Sequence, residues 1–429
     1  MRKSIRVILS TLFCFELLFV LFMYAGRFKA DPRFAWIPVD LTLLFFLLSV
    51  GSGFLIIAFT KKHRFSHSQM ILFGLISAFF GYAIISLAWT PSRIYAQEKI
   101  LQMATLTFGS FVATSLIVAS QRSRLKRFLV ILVLFSIWVV VESFVSAAQM
   151  QFQWTVAALG TNYLGLGRVI GIGALICLGY LLYFAPNNKA RWLTGFAIIT
   201  LLVMLLLLGG RAPFLATLFA GCVPVVVGVR RQPRVGVRRS VYILILLALA
   251  GILTYMLLNP TIGTSVTLSR VNRLITGIQD FDRLILWQSA LEFWAEAPLS
   301  GHGVGAWPVL YYGIDIREYP HNIIFEILVE FGIIGLVLFL VSVIYSVLLL
   351  WRGGIARSPL RIILLMLFVN SFINALSTGD IPENRMLFAS IGLMVFPLFE
   401  GVGARNTRQR ASMQSGHLIT RHYNASSTS

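Results

Sequence analysis

Long uncharged apolar runs, such as Val241 to Leu258 and Ile333 to Leu350, constrain this chain more than any other feature. Lipid offers no partner to backbone N–H and C=O groups, so a run of about 18 or more residues must satisfy them locally, as a helix. Composition agrees. Hydrophobic residues make up 58% and charged residues 12%, whereas a soluble domain is roughly a quarter charged. Dividing the chain into apolar runs and polar gaps gives about twelve spans. They fall near 7–25, 37–60, 70–89, 101–120, 128–148, 164–184, 192–209, 212–229, 240–258, 333–351, 360–378 and 386–400. The expected fold class is all-α: a polytopic membrane helix bundle of about twelve transmembrane helices with one long periplasmic loop.

The net charge of +20 would suggest nucleic acid as the partner of a soluble protein, but its placement points elsewhere. Lys/Arg clusters occupy alternate gaps: Arg2-Lys3-Arg6, Lys61-Lys62-Arg64, Arg122-Arg124-Lys126-Arg127, Lys189-Arg191, Arg230 to Arg239, Arg352-Arg357-Arg361, and the tail from Arg405 to Arg421. None of these gaps holds an Asp or Glu. Positive charge is retained on the cytoplasmic side, so both termini read as cytoplasmic and no nucleic acid is expected. Cys14, Cys177 and Cys222 all fall inside spans, which indicates neither a disulfide framework nor a zinc site. The basic start resembles a signal peptide, but the further spans favour an uncleaved first helix.

The chain divides into 1–258, a membrane bundle of nine spans; 259–332, a periplasmic loop; 333–400, the last three spans; and 401–429, a basic Ser/Thr-rich tail expected to be disordered. The loop carries six carboxylates between Asp280 and Glu318, and a loop of such length is usually functional or disordered. Phe281, Leu284, Trp287, Leu291 and Trp294 repeat at helical spacing and predict an amphipathic helix that lies on the membrane or caps the bundle. Then come three alternating glycines, Gly301, Gly303 and Gly305, which permit tight turns and close approach to a ligand. As a nucleotide signature they are weak, because they follow a helix and not a strand. Pro320 ends the loop in an extended conformation, and His321 or Asn322 starts the next helix. Inside the spans, Glu16, Asp40, Glu142 and Arg168 are ionisable, hence candidates for function. Glu142 and Arg168 fall toward the outer ends of neighbouring spans and are expected to form an ion pair.

The ordered set Gly209-Gly210-Arg211, Arg283-x-x-x-Trp287, Pro298-Leu-x-Gly-x-Gly-x-Gly, Pro320-His321-Asn322 and Glu330-Phe-Gly-Ile-Ile-Gly resembles the bacterial O-antigen ligase and polymerase family of integral membrane proteins. The resemblance covers about Gly209 to Gly335; the remainder matches in hydropathy and span count only. It implies a glycosyltransferase of the bacterial inner membrane, with a periplasmic active site and neither metal nor other cofactor. Such proteins move a glycan from an undecaprenyl-diphosphate-linked donor to an acceptor hydroxyl. The acceptor is the lipid A core in ligases and another glycan in polymerases, with membrane lipids and polysaccharide assembly or export proteins as further partners. By position, His321 matches the family's essential histidine, and Arg211 and Arg283 its essential arginines. Gly301, Gly303, Gly305, Asn322 and Glu330 are the accompanying substrate-binding candidates, while His302 occupies a variable place in the glycine motif.

The residue types suit that chemistry. Arginine is permanently charged and binds phosphate through paired hydrogen bonds, and histidine titrates near neutral pH, as a general base must. Plainer readings exist for each residue. His321 could cap a helix, Arg211 could snorkel to headgroups, Arg283 could stack on indole, and Glu330 could either orient His321 or face water. The rival function is a polysaccharide or lipid-linked oligosaccharide transporter or flippase. The chain shows no division into two similar halves of the kind many transporters have.

Overall fold

The structure, a computed structural model, describes residues 14–59, 66–149, 157–208, 210–227, 281–352, 354–355 and 358–399. Among the described residues it is helical, with one isolated β-bridge between Ala158 and Thr161. The helices are α1 (Phe15–Tyr24), α2 (Leu41–Phe59), α3 (His67–Ala88), α4 (Tyr95–Val118), α5 (Arg122–Gln149), α6 (Tyr163–Tyr183) and α7 (Asn188–Leu207). They continue with α8 (Arg211–Val227), α9 (Phe281–Glu296), α10 (Ala306–Tyr312), α11 (Ile323–Trp351), α12 (Pro359–Ala375) and α13 (Arg385–Phe399). Seven of them, α2 to α7 and α11, are long and apolar enough to cross a membrane, and α8, α12 and α13 are shorter apolar helices. Of the twelve expected spans, the one at 240–258 lies outside the described residues, as do 259–280 of the loop, the start of the first span and the tail.

Helix α6 sits at the centre. Its apolar window is 72% buried, against 17% for α2 and α7, whose side chains face outward. Glycine makes that position possible, because small residues let helix backbones approach where no hydrophobic effect drives association. Gly167 meets Pro213 of α8, Gly171 meets Thr217, Gly173 meets Ser136 of α5, and Gly179 meets Ile363 of α12. Polar side chains join the same contacts: Ser136 donates to the Val169 carbonyl at 2.9 Å, and Asn370 of α12 donates to Thr217 at 3.2 Å.

The expected Glu142–Arg168 pair does not form. Glu142 instead accepts two hydrogen bonds from Arg33, at 3.0 and 2.9 Å, because the segment between α1 and α2 folds back over the end of α5. Asp40 caps α2 by accepting from the Thr42 and Leu43 N–H groups and pairs with Lys29 at 2.8 Å. Glu16 is buried against Arg127 at 2.9 Å. Arg168, left by Glu142, donates to the Thr378 and Asn374 carbonyls. By the alternation of helices, residues 25–40, 86–94, 157–162, 297–322 and 376–384 gather at one end of the bundle. That end carries the candidate site.

Candidate functional site

The floor of the site is a junction between two backbones. At Gly332 (φ 61°, ψ −161°) α11 leaves helical geometry, which frees the peptide groups on either side. The strap 298–303 takes them up. His302 N–H donates to the Val329 carbonyl at 2.8 Å and Gly303 N–H to Glu330 at 2.8 Å, while Ile333 and Ile334 N–H donate back to Pro298 and Leu299 at 2.9 and 3.2 Å. A break in a buried helix is tolerated only when its freed groups find partners.

Gly301, Gly303 and Gly305 all have positive φ and are buried. A Cβ at Gly301 would meet the Glu330–Phe331 peptide, one at Gly303 would meet Thr90, and one at Gly305 would approach Ala96. The close approach that the glycine motif permits is therefore to the chain's own backbone. A Cβ at Gly332 would collide with the Leu299 carbonyl. Gly332→Ala is accordingly expected to lower the melting temperature of the purified protein sharply, with strain of about 1–3 kcal/mol before the clash is counted. Gly81→Ala, on a helix with open space around the site, is the control and should be neutral or slightly stabilising. Equal melting temperatures for the two variants would remove the junction from the account.

Above this floor runs the segment 313–322. Asp315 ties it to the N-terminus of α4, accepting from the N–H groups of Arg93, Ile94 and Tyr95 and from the Ser92 hydroxyl, at 2.7 to 3.3 Å. Burial pushes its carboxyl up, but those hydrogen bonds prevail and hold it below its ordinary value. Arg317 continues the anchoring through Asp380 at 3.1 Å and Glu383 at 3.2 Å. Then comes His321, held at φ 56°, a left-handed conformation unusual for any residue but glycine. Asn322, not His321, caps α11: its side chain accepts from Ile324 N–H at 2.9 Å and Phe325 N–H at 3.4 Å.

The His321 ring is therefore free of the capping duty its place in sequence allowed. It packs edge-on against Tyr319, with centroids 4.7 Å apart, and its Nδ1 is buried without a hydrogen-bond partner among the described residues. Burial lowers its pKa below the ordinary histidine value, the Arg283 guanidinium lowers it further, and Glu383 opposes both. An imidazole held neutral this way is competent to accept a proton. The structure thus brings Arg283 and His321 together. Arg211 opens α8, half-buried, at the same end of the bundle.

Glu330 neither faces water nor orients His321. It is buried with Glu326, and Lys99 of α4 reaches both carboxylates at 2.6 Å. Helix α9 packs on this assembly through Leu286, Ala290 and Phe293, against Trp307 and Val329, and Trp287 meets Phe325 at 5.7 Å. Leu284 and Leu291 of the expected stripe are exposed, so the packed face is turned by about one residue. His302 is held by a contact of its Nε2 with the Phe293 carbonyl at 2.8 Å. Lys99 and Arg317 are not singled out by the sequence, and Asp315, Asp380 and Glu383 stand out there only as charges of the long outer loop and of the last outer turn, Ser377 to Arg385. A lysine inside an otherwise apolar helix was the one signal available.

Residues 196–340 match the family model for O-antigen ligase, a segment that begins within α7, includes α8 to α10 and ends within α11. An O-antigen ligase family domain is thus present in this chain, and Arg211, Arg283, the three glycines, His321, Asn322 and Glu330 all lie in it. No curated protein matches the chain significantly. Together with the apolar helices, the family domain identifies a multi-pass membrane protein with a general role in glycan transfer.

Proposed function

We propose that the protein transfers a glycan from an undecaprenyl-diphosphate-linked donor to the hydroxyl of an acceptor sugar, on the periplasmic face of the bacterial inner membrane. The observation that carries this reading is His321: a histidine in a strained backbone conformation, with an unpartnered buried Nδ1, beside the Arg283 guanidinium. Strain of that kind persists where the surrounding structure over-determines it, as functional sites do. In the reaction, the acceptor hydroxyl loses its proton to His321 as its oxygen attacks the anomeric carbon. The bond from that carbon to the diphosphate oxygen breaks, and the electron pair leaves with the lipid diphosphate. Arg211 and Arg283 stabilise the charge that develops there, as fixed donors at a leaving group do. Attack opposite the leaving group inverts the anomeric centre.

The test is glycan analysis in cells lacking the gene, complemented with wild type, His321→Ala or Arg211→Ala at equal membrane abundance. Both variants are expected to accumulate carrier-linked glycan that the wild type clears. Single stalled repeats mean a polymerase, and long stalled chains mean a ligase acting on the lipid A core. Full complementation by both variants would overturn the assignment.

A further inference from the structure

We infer that Asp315 is a positioning residue for transfer: by capping α4 from elsewhere in the chain, it fixes the segment on which His321 stands. That role rests on the assignment of His321 as the base.

Helix α4 has no cap of its own. Ile94 occupies the place where Ser, Thr, Asp or Asn normally accepts from the first free N–H groups, offers no side-chain acceptor and is 74% exposed. Asp315, 221 residues later, supplies the acceptor. Its Oδ2 accepts from the Arg93 and Ile94 N–H groups at 2.8 and 2.7 Å. Its Oδ1 accepts from the Ser92 hydroxyl at 2.7 Å and from Tyr95 N–H at 3.3 Å. Ser92 in turn accepts from Ala96 N–H at 2.9 Å, so one hydroxyl joins the carboxylate to the first turn. Bonds from N–H groups to a carboxylate at a helix start are charge-assisted and favoured by the helix dipole.

The segment 313–321 contains no helix or strand that would hold it in place. The N–H groups of Ile316 and Glu318 reach back only to the carbonyls of Ile314 and Ile316, at 3.2 and 3.1 Å. Gly313, which opens the segment, has nothing packed where a side chain would stand. Side chains therefore set its course. Besides Asp315, Arg317 binds Asp380, which accepts from the Tyr95 hydroxyl at 3.3 Å, again on the first turn of α4. Beyond His321, Glu326 meets Lys99, one turn further along the same helix. His321 is thus bracketed by Asp315 on one side and Glu326 on the other, both tied to the first two turns of α4. A left-handed histidine persists only where its surroundings over-determine it, and these two ties do so here.

The test is a double-variant cycle on transfer rate. Purified full-length protein is added to membranes of cells lacking the gene, which supply both donor and acceptor glycan. Asp315→Asn keeps the shape but turns an amide toward N–H donors. It is expected to slow transfer at saturating membrane about 10–100-fold, as a displaced reacting group does, with the apparent KM within about twofold of wild type. In a His321→Asn background the same change should cost less than about twofold more, because residues that act as a unit are not additive. Asp315→Glu, which keeps the charge, should recover part of the rate.

The pH profile supplies a readout that lost stability alone would not move. Burial disfavours the His321 imidazolium, with the Arg283 charge adding to it and Glu383 opposing. Freeing the segment lets water reach the ring and should move the acid limb up, toward neutrality. Loss of the Asp315 charge by itself would act the other way, since removing an anion disfavours the imidazolium. Ser92→Ala removes one of the four donors and keeps the carboxylate, so it carries the test if Asp315→Asn does not fold. It should give a smaller loss and move the limb in the same direction. Losses that multiply in the double variant, or a limb that stays or moves down, assign Asp315 to stability alone and overturn the inference. Normal transfer by Asp315→Asn overturns it too, and a slow His321→Asn then leaves the transferase reading intact. Near-normal transfer by His321→Asn removes the base itself, and this inference with it.

Discussion

Lys99→Met should cost the folded protein about 3–5 kcal/mol, a large fraction of the stability of a typical folded chain. Lys99 is fully buried, its ammonium 2.6 Å from both Glu326 and Glu330. Methionine replaces the stem well but leaves two carboxylates facing each other in an apolar interior. Each has an oxygen without a partner even in the wild type. The damage would spread. Glu326 also accepts from Ile381 N–H at 3.2 Å, which fixes the 376–384 loop, and the Glu330 carbonyl anchors the glycine strap. Thermal melting in detergent micelles measures the effect. The triple variant Lys99→Met/Glu326→Gln/Glu330→Gln, which removes the charges together, should recover most of the loss, because breaking a buried pair costs more than replacing it. A single variant that melts like wild type would show that the cluster does not hold α4 to α11.

That cluster also marks where the sequence ceased to be readable. Hydropathy placed the fourth span at 101–120, whereas the helix begins at Tyr95, because Glu98 and Lys99 interrupt the apolar pattern. Lysine enters this helix only because its partners arrive from α11, more than two hundred residues later in the chain. The other helix positions were legible to within a few residues wherever the apolar run was continuous, as in α6 and α7, since lipid makes helix the sole local solution. Arg33, which took Glu142 from Arg168, lies 109 residues from its partner. No local pattern encodes a pairing of that kind.

The site was legible in kind more than in detail. Alternating glycines announced a close approach, but not that the approaching group would be the peptide of Glu330 and Phe331. The glycine strap and the Glu-Phe-Gly run, separate motifs in the sequence, are two sides of one junction. Pro320-His321-Asn322 showed a helix start, and the division of labour within it became visible only in three dimensions. Asn322 spends its side chain on the cap, which leaves His321 in the left-handed region with an unengaged ring.

From that division follows the second large effect. His321→Ala and His321→Asn are both expected to slow glycan transfer by roughly 10²–10⁴-fold, the usual contribution of a positioned general base. Asparagine is the sharper test, because it tolerates the left-handed backbone and separates lost chemistry from lost conformation. The pH profile should carry the same signature. A base must be unprotonated, so the rate falls as pH drops through the pKa of His321. Burial first, and then the Arg283 charge, disfavour the imidazolium and place that limb below the ordinary histidine value near 6.5. Arg283→Gln removes a positive charge, makes protonation easier and should move the limb upward, toward neutrality. Transfer measured from pH 5 to 8 with purified protein and carrier-linked donor checks both points. A limb that stays in place in Arg283→Gln would separate the two residues. Near-normal transfer by His321→Asn would mean that the acceptor proton leaves by another route, and that the strained histidine serves the loop and not the reaction.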